Sequence, residues 1–509
     1  MRHALFHVER NDTLTLQAQI REALVSAVLS GQLPVGDPVP STRAMAKRLG
    51  VSRNTVVLAY QGLVASGFLI SKTRSGFYVH EDAVITAPSL PSAIRPNTES
   101  SAHWHERLKV HPSNQENIVK PKNWRDYPYP FVYGQSDESL FPISEWRECV
   151  RQALARKWLD DWTEDRYAED DPMLIEQIRQ RLLPRRGIAA DADEILITLG
   201  AQNALYLVGR LIVSSETTVG MEDPGYVDFR NIMQLRTDHF VPIPVDEEGL
   251  MIERIPAACD LIYVTPSHQY PTTVTMDIDR RRTLLAAAEA DDFVLVEDDY
   301  EFETNYTARP CPALKSLDRN GRVIYVGSLS KSLVPGLRIG YMVAPRELIR
   351  EAKALRRLML RHPPGNNQRT TALFLAQGHH DTMISRQQRV YRDRWNLMSE
   401  ALEKHLPGWS RHPIFGGTSF WLNGPDQLDA DQLAETALED GIVIEPGRVH
   451  FADKAAPENY FRLGFSSIAT ERITPGIERL ASILKKTLNT NDLALETGPT
   501  NKSNLVPTA

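Results

Sequence analysis

Apolar residues recur at helical spacing near the start of the chain, where they predict three helices followed by a hairpin. The first periodic run begins at Leu16 and ends at Gly31, a residue type that commonly stops a helix. Ser41 and Ser52 stand directly before two further runs, in positions that suit helix N-caps. Two short apolar runs predict the strands of the hairpin, Phe68–Ile70 and Phe77–Val79. We therefore expect a small folded domain over residues 10–80.

The helical pattern is lost over residues 81–124, where prolines punctuate a polar stretch, and this predicts a flexible linker. Over residues 125–485, apolar runs of strand length alternate with longer amphipathic runs such as Arg280–Ala290. The strand-length runs include Ile195–Thr198, Leu261–Val264, Phe293–Val296 and Val323–Val326. Their density of Val, Ile and Leu predicts an α/β domain with a mostly parallel sheet. The polar residues 486–509 predict a disordered tail.

Charge separates the small domain from the rest of the chain. Residues 1–80 carry nine basic and four acidic side chains, so their net charge of +5 contrasts with the total of −7 for all 509 residues. A basic head on an acidic body indicates that only the head meets a polyanion. No apolar run reaches the roughly 18 residues of a membrane span. Three cysteines without CxxC spacing argue against a disulfide scaffold or a zinc cluster. We expect a cytoplasmic protein with no membrane partner and no metal site.

Candidate nucleic-acid contacts lie at the starts of the second and third predicted helices. Helix N-termini present free backbone N–H groups and the positive end of the helix dipole, which suit phosphates. The first residues of the third helix can reach base edges, where Arg53 suits guanine and Asn54 suits adenine. A basic residue in the hairpin turn can reach phosphate or the minor groove. The predicted DNA contacts are Ser41, Thr42, Arg43, Ser52, Arg53, Asn54, Thr55 and Arg74.

The order helix, helix, turn, helix and basic hairpin describes a winged helix-turn-helix. Domains of this shape also dock onto proteins, and Ser and Asn are ordinary helix caps, so a protein partner is the alternative. The basic charge together with Arg53-Asn54-Thr55 favours double-stranded DNA. A close resemblance to the GntR-type winged helix, which implies an operator as the partner, runs through Pro40–Val56, PSTRAMAKRLGVSRNTV.

The most informative stretch of the body is Gly327–Tyr341, which follows a predicted buried strand. Lys331 in this stretch lies at the carboxyl end of that strand, where α/β sheets bind ligands. A lysine desolvated there has a lowered pKa and can form a Schiff base. The hydroxyls of Ser328 and Ser330 and the guanidinium of Arg338 can hold a phosphate. A lone lysine is usually a solvated surface group, but these neighbours favour the Schiff base.

A second predicted strand ends in Glu297-Asp298-Asp299-Tyr300. Asp298 can balance a protonated pyridine nitrogen, and Tyr300 can bond the phenolic oxygen of the same ring. The alternative is a magnesium-binding acidic pair, which is common at strand ends. The absence of a phosphate-binding P-loop nearby and the presence of Lys331 favour the pyridine interpretation.

Three further positions agree with a bound phosphate and a flat ring. Gly200-Ala201-Gln202 opens a helix after a predicted strand, so its N–H groups suit a phosphate. Tyr226 follows a predicted strand on a loop, where its ring can stack on another ring. Arg462 can clamp a carboxylate with both of its terminal nitrogens, and the alternative for it is a structural ion pair.

The order of these motifs resembles a fold type I aminotransferase, a domain that binds pyridoxal 5'-phosphate (PLP). With its GntR-type head, the chain resembles the MocR/GabR group of transcriptional regulators over roughly residues 14–80 and 125–485. One departure is Tyr270-Pro271-Thr272-Thr273, where true aminotransferases usually carry Asn-Pro-x-Gly. The preceding Thr265–Gln269, TPSHQ, is typical of the regulator group. The departure weakens the case for efficient transamination.

The resemblance implies a role for each candidate in the body. Lys331 would form the internal aldimine, and Asp298 would pair with the pyridine nitrogen. Tyr300 would bond the ring oxygen and Tyr226 would stack on the ring. Arg462 would take the carboxylate of an effector. The implied phosphate site consists of Gly200, Ala201, Gln202, Ser328, Ser330 and Arg338. Relatives form head-to-tail homodimers, which implies a dimer here.

These observations predict a PLP-dependent DNA-binding transcriptional regulator. It would sense an amino acid or a related amino compound by aldimine exchange at Lys331. One alternative is an active PLP-dependent aminotransferase whose head only localises it. Another is a DNA-binding protein whose body is only a dimer scaffold.

Overall fold

A computed structural model places the chain in two units, Met1–Arg107 and Leu108–Ala509. The residues that it describes are 14–73, 75–83, 102–165, 169–305, 311–410, 416–453, 455–489 and 493. The predicted wing contact Arg74 and residues 84–101 of the predicted linker lie outside the described residues.

The small unit has the predicted three helices and hairpin. Its elements are α1 Leu16–Leu29, α2 Thr42–Leu49, α3 Arg53–Ala65, β1 Leu69–Lys72 and β2 Gly76–Val79. The hydroxyls of Ser41 and Ser52 cap α2 and α3 by accepting hydrogen bonds from the amides of Ala44 and Thr55, at 3.2 and 3.1 Å. Tyr60 of α3 is fully buried, and its hydroxyl donates to the carbonyl of Pro40 at 2.8 Å. This bond fixes the chain that enters α2 against α3.

The connector, residues 108–124, belongs to the larger unit, so the predicted linker 81–124 extends too far. A short helix α4, Trp104–Arg107, precedes it. The Gln115 amide donates to the carbonyl of Asn231 at 2.8 Å. Asn231 in turn donates to the carbonyl of Glu116 at 2.9 Å and to the side-chain oxygen of Asn117 at 3.0 Å. The connector is held by polar contacts with a residue distant in sequence, which a search for hydrophobic periodicity does not detect.

The larger unit alternates helices and strands. Its helices are α5 Ile143–Ala153, α6 Leu159–Thr163, α7 Pro172–Gln177, α8 Ala201–Ile212, α9 Val227–Gln234, α10 Ile278–Ala290, α11 Leu314–Leu317, α12 Arg346–Leu360, α13 Gly365–Ala376, α14 His379–His405, α15 Ala430–Glu439 and α16 Ile473–Thr487. Its strands are β3 Tyr129–Pro130, β4 Ile195–Thr198, β5 Val219–Asp223, β6 Phe240–Asp246, β7 Gly249–Leu250, β8 Leu261–Val264, β9 Val294–Asp299, β10 Val323–Ser328, β11 Gly340–Val343, β12 Ser419–Asn423, β13 Ile442–Val443, β14 Glu445–Pro446 and β15 Tyr460–Gly464. Of the helices among the described residues, none combines the length and apolar character that crossing a bilayer requires.

The main sheet has eight strands in the order β4-β11-β10-β9-β8-β5-β6-β7. The strands from β10 to β6 are parallel to one another, whereas β11 and β7 run antiparallel to their neighbours. The mixed α/β class with a mostly parallel sheet is therefore confirmed. Because parallel strands share a direction, the carboxyl ends of β5, β8, β9 and β10 meet at one edge. The residues that follow those ends are thereby brought together.

A smaller antiparallel sheet has the strand order β12-β15-β14. Arg462 of β15 stands directly across from Glu445 of β14 in the strand register. Side chains that face each other across antiparallel strands lie close enough to interact. The pairing of β14 with β15 therefore decides which carboxylate the arginine meets.

The C-terminal segment is ordered further than the sequence predicts. Lys486 and Thr487, assigned by sequence to the disordered tail, still belong to α16. Leu493 is buried, and its carbonyl accepts a hydrogen bond from the indole N–H of Trp409 at 2.6 Å. A single leucine within a polar stretch produces no periodic signal, which is why this contact was missed. The tail positions 490–492 and 494–509 lie outside the described residues.

Glu303, just beyond β9, gives the larger unit a testable pH dependence. The side chain is buried, and its Oε1 has no hydrogen-bond partner among the described residues. Burial raises the pKa of Glu303 to about 8 from 4.5. The folded protein therefore holds a proton that the unfolded chain releases near pH 4.5. The associated stability is present in full below that value and is lost as the pH rises toward about 8.

We expect Glu303→Gln to unfold like the wild type at pH 4 and to be more stable by about 2–4 kcal/mol at pH 9. The measurement is urea unfolding at both pH values, followed by tryptophan fluorescence. Glu439→Gln, at an exposed position of α15, is the control and should change neither curve. A variant no more stable than the wild type at pH 9 would show that Glu303 is ionised in the folded state without penalty.

Candidate functional site

The starts of α2 and α3 form a basic surface on the small unit. Arg43, Arg53 and Asn54 are exposed. The Nε atom of Arg53 lies 3.5 Å from the hydroxyl of Thr42, so the two helix starts are adjacent. Guanidinium groups beside two helix N-termini offer donors for phosphates and for base edges. The predicted DNA contacts other than Arg74 therefore share one surface.

A cavity of about 260 Å³ lies at the carboxyl edge of the main sheet. Its walls include the predicted residues Ala201, Gln202, Tyr226, Asp298, Tyr300, Ser328, Ser330, Lys331, Arg338 and Arg462. Gly200 adjoins this wall, because a Cβ atom on it would lie 3.0 Å from Nη2 of Arg338. Residues predicted from separate stretches of sequence thus surround one cavity.

Lys331, in the loop that follows β10, lines the cavity. Its Nζ atom lies 4.3 Å from the centre of the Tyr133 ring. Gly134 permits this approach, since a Cβ atom there would lie 2.9 Å from Nζ. Burial lowers the pKa of Lys331 to about 8, although Glu301 opposes the shift. A larger fraction of this lysine than of a surface lysine is therefore the neutral, nucleophilic amine at physiological pH.

Asp298, near the end of β9, carries an unpaired oxygen at the cavity wall. Its Oδ2 accepts a hydrogen bond from Tyr263 at 2.8 Å, whereas its buried Oδ1 has no partner among the described residues. Burial raises the pKa of Asp298 to about 7. Asp299 instead accepts from Arg186 at 2.6 Å and from Tyr325 at 2.8 Å. Successive side chains of a strand face opposite sides, so the two carboxylates do not act as one magnesium-binding pair.

The donors suited to a phosphate lie at the other end of the cavity. Gly200, with φ of 78°, precedes the free N–H groups at the start of α8. The Ser330 amide donates to the hydroxyl of Ser328 at 3.2 Å. The buried hydroxyl of Ser330 has no partner of its own among the described residues. Arg338 adds a guanidinium that donates to the carbonyl of Leu199 at 3.1 Å. A helix N-terminus, a hydroxyl and a guanidinium together match a dianion.

Tyrosine rings form the wall between these two ends. Tyr270 replaces the asparagine expected of an aminotransferase, and its ring meets Tyr133, Tyr226 and Tyr300 edge-on, with centroids 5.1 to 5.8 Å apart. The hydroxyl of Tyr300 donates to the carbonyl of His268 at 2.9 Å. Tyr300 therefore lies at the predicted place, but its proton is already engaged in this structure.

Arg462 is both a wall of the cavity and a member of an ion pair. Its guanidinium lies 3.7 Å from the centre of the Tyr133 ring and 4.5 Å from that of Tyr270. Nη2 donates to the Tyr270 hydroxyl at 2.6 Å and to Glu445. Burial alone would raise the pKa of Glu445, but Arg462 and His450 lower it to about 2. Both partners are therefore charged at neutral pH, and the pair has no net charge.

Several residues of the cavity wall were not singled out from the sequence: Lys120, Tyr133, Gly134, Asp228, Tyr263 and Glu445. Lys120 lies in the stretch predicted as linker. Glu445 reaches the site only through the pairing of β14 with β15. None of these residues stands in a local motif, so only the tertiary arrangement identifies them.

The cavity fits a phosphorylated pyridine ring that carries an aldehyde. The unpartnered oxygen of Asp298 can accept a hydrogen bond from a protonated ring nitrogen. The unpartnered hydroxyl of Ser330 and the start of α8 can receive the phosphate. The amine of Lys331, which lines the same cavity, can bond the aldehyde. Two buried polar atoms that have no partner among the described residues, Oδ1 of Asp298 and Oγ of Ser330, thus correspond to groups of that molecule.

Each of the two domains matches a known protein family. Residues 16–79 match the family described as bacterial regulatory proteins, gntR family. Residues 141–480 match the family described as aminotransferase class I and II. The kynurenine aminotransferase of Pyrococcus horikoshii, solved in complex with PMP, superimposes with a TM-score of 0.69 and 28% identity, covering 76% of this chain and all of that one. The fold and this neighbour identify the cofactor of the larger domain as pyridoxal phosphate.

Curated relatives match the whole arrangement. The HTH-type transcriptional regulator TauR of Rhodobacter capsulatus is 43% identical over 471 residues, which cover 92% of this chain and 97% of that protein. The probable rhizopine catabolism regulatory protein MocR of Rhizobium meliloti is 30% identical over 480 residues, 93% of this chain and 95% of that protein. The chain therefore belongs to the MocR-type helix-turn-helix transcriptional regulators, in which a GntR-type DNA-binding domain is joined to a domain of the class I and II aminotransferase fold.

Proposed function

We propose that this regulator holds PLP at Lys331 and senses an amino compound that competes with Lys331 for the cofactor. The observation that carries the proposal is the meeting of three groups at one cavity: the Lys331 amine, the unpartnered carboxylate oxygen of Asp298 and the Arg462 guanidinium. The lysine can attach the cofactor, the aspartate can bind the ring nitrogen, and the arginine can bind a further ligand. The same chain carries a DNA-binding domain that can report the outcome.

When bound, PLP supplies an aldehyde carbon that forms a reversible covalent bond with an amine. Lys331 provides the resting amine, and its lowered pKa eases both attachment and release. Asp298, whose Oδ1 has no partner among the described residues, would hold the ring nitrogen, and Tyr226 of the cavity wall would stack on the ring. Arg462, whose Nε atom has no partner among the described residues, can donate to an acid group of the incoming compound.

We propose that the DNA partner is a double-stranded operator and that the active species is a head-to-tail homodimer. The dimer follows from the resemblance to the MocR/GabR group, and light scattering of the purified protein tests it. A partner of this kind places the protein in the cytoplasm, with the chromosome.

The test of sensing is a panel of amino compounds added to the PLP-loaded protein. We expect one compound class to change the visible absorption and, at the same concentration, the affinity for DNA. Keto-acid release is measured in parallel. Sustained release with unchanged DNA affinity would replace the sensor with an active aminotransferase, the function that the Tyr270 substitution argues against.

Arg53 tests the DNA surface. We expect Arg53→Ala to weaken binding about 10- to 100-fold to the sequence that the wild-type protein selects from a random DNA pool, because an arginine–guanine contact discriminates by about 1–3 kcal/mol. Fluorescence anisotropy provides the measurement. Lys485→Ala, on α16 of the larger domain, is the control and should bind as the wild type does. Unchanged binding by Arg53→Ala would remove α3 from the interface.

A further inference from the structure

The basic side chains of the cavity wall differ in whether a nearby carboxylate neutralises them. Arg462 is neutralised by Glu445, with which it shares a hydrogen bond inside the protein. Arg338 lies at the phosphate end, beside Gly200. Lys120 also lines the cavity, and no residue among those described forms a hydrogen bond or an ion pair with it. Lys331 and Arg338 also have no carboxylate partner among the described residues, but Lys331 is the proposed attachment point and Arg338 lies at the phosphate end, so Lys120 is the cation left for a further ligand.

Lys120 lies within electrostatic range of the Arg462–Glu445 pair. Burial lowers the pKa of Lys120, Glu445 raises it, and Arg125 and Arg462 lower it further. Lys120 is exposed overall, whereas Arg462 is buried, so the ammonium is only partly desolvated where it lines the cavity. A charge in such a place interacts with a ligand more strongly than a charge on an open surface does.

An anionic ligand group entering this space meets a carboxylate as well as a guanidinium. A neutral Arg462–Glu445 pair attracts an anion only weakly, since the attraction to one partner is offset by repulsion from the other. The free N–H of Arg462 can still donate a hydrogen bond. Net positive charge at the effector end has to come from elsewhere, and Lys120 can provide it.

We propose that Lys120 binds the acidic group of the effector, which is therefore an amino compound carrying an anion such as a carboxylate or a sulfonate. This inference rests on the proposed function, because the amino end of the same compound is taken to compete with Lys331. Arg462 contributes a directional hydrogen bond, and Lys120 contributes the charge. The spacing between amine and anion then selects the effector.

The position of Lys120 links this contact to the rest of the chain. Lys120 lies on the connector, which follows the DNA-binding domain in the sequence. Hydrogen bonds of Gln115 and Asn117 with Asn231 hold the connector on the larger domain. A ligand held by Lys120 fastens the connector to the cavity at a second place. We expect such a ligand to reduce amide hydrogen exchange in residues 108–124.

The experiment compares acidic amines with neutral amines of the same length on the PLP-loaded full chain. The probes are ω-amino carboxylates from glycine to 5-aminopentanoate, the aminoalkyl sulfonates of matching length, and the matching alkylamines. The readout is the concentration that half-changes the visible absorption. We expect Lys120→Gln to weaken the best acidic amine about 10- to 100-fold and to leave its alkylamine counterpart unchanged. Lys120→Arg should retain most of the affinity.

Lys122→Gln, on the same connector, is the matched control and should leave both series unchanged. Equal weakening of acidic and neutral amines by Lys120→Gln would show a structural role and overturn the proposal, as would no weakening at all. A wild type that responds to amines without preferring acidic ones would overturn it while leaving the proposed function intact. A wild type that responds to no amine would overturn both. If the ligand slows amide hydrogen exchange in residues 108–124 of the wild type but not of Lys120→Gln, that result would independently support a contact between Lys120 and the ligand.

Discussion

Replacing Lys331 with alanine should abolish the visible absorption that PLP acquires on covalent attachment to the protein. The cavity offers this lysine next to the ring site, with a pKa lowered to about 8 by burial. Alanine removes the only atom of that side chain able to bond the aldehyde, and because the lysine side chain lines an existing cavity, the fold should persist. We expect the covalently held fraction, measured by borohydride reduction and mass spectrometry, to fall to background.

The control for this experiment is Lys404→Ala, at an exposed position of α14. It corrects for PLP that reacts with surface lysines, and it should keep the wild-type absorption. Undiminished covalent PLP in Lys331→Ala would place the attachment elsewhere. In that case the lowered pKa of Lys331 would be a consequence of burial without a role in the cofactor chemistry.

Asp298→Ala should weaken PLP binding by about 100- to 5,000-fold, because it leaves the protonated ring nitrogen without its buried counter-charge. Removing one partner of a buried charged pair typically costs about 3–5 kcal/mol. Oδ1 of Asp298 accepts no hydrogen bond from any of the described residues and is therefore available to the ring. Equilibrium dialysis of the purified variant with added PLP measures the dissociation constant, and far-UV circular dichroism checks the fold.

Asp228→Asn is the comparison for Asp298→Ala. This variant also removes a negative charge from the cavity wall. In the wild type, however, the Asp228 carboxylate already accepts a hydrogen bond from the Tyr226 hydroxyl at 3.0 Å. We expect its effect on PLP affinity to be within a few-fold. Similar losses in both variants would mean that the overall charge of the cavity matters and that Asp298 has no specific bond to the ring.

The parts of the site that the sequence predicts share a common physical origin. Asp298 lies near the carboxyl end of β9 and Lys331 lies just beyond that of β10, and parallel strands bring such positions together at one edge. Strand runs of Val, Ile and Leu can be recognised in a single sequence. The residues at the carboxyl edge of the sheet can therefore be predicted from where these runs end. The head is predictable for a similar reason, since the caps Ser41 and Ser52 mark where its helices begin.

The parts that were missed depend on pairing between distant segments. Glu445 meets Arg462 because β14 pairs with β15, a register that no local pattern specifies. Lys120 reaches the cavity because side-chain amides hold the connector on the larger domain. Polar contacts of this kind leave no hydrophobic period, and a polar, proline-containing segment therefore suggests a linker. The sequence motifs thus point to Lys331, Asp298 and other residues that line the cavity, but not to Glu445, which balances the charge of Arg462.

The most direct test of sensing follows absorption and DNA binding in the same sample of PLP-loaded protein as each amine is added. The DNA is the labelled sequence selected by the wild-type protein. We predict that an amine which changes the absorption also changes the DNA affinity over the same concentration range, and that it does neither in Lys331→Ala. Absorption changes accompanied by constant DNA affinity for every amine in the panel would contradict the claim that the cofactor site regulates DNA binding.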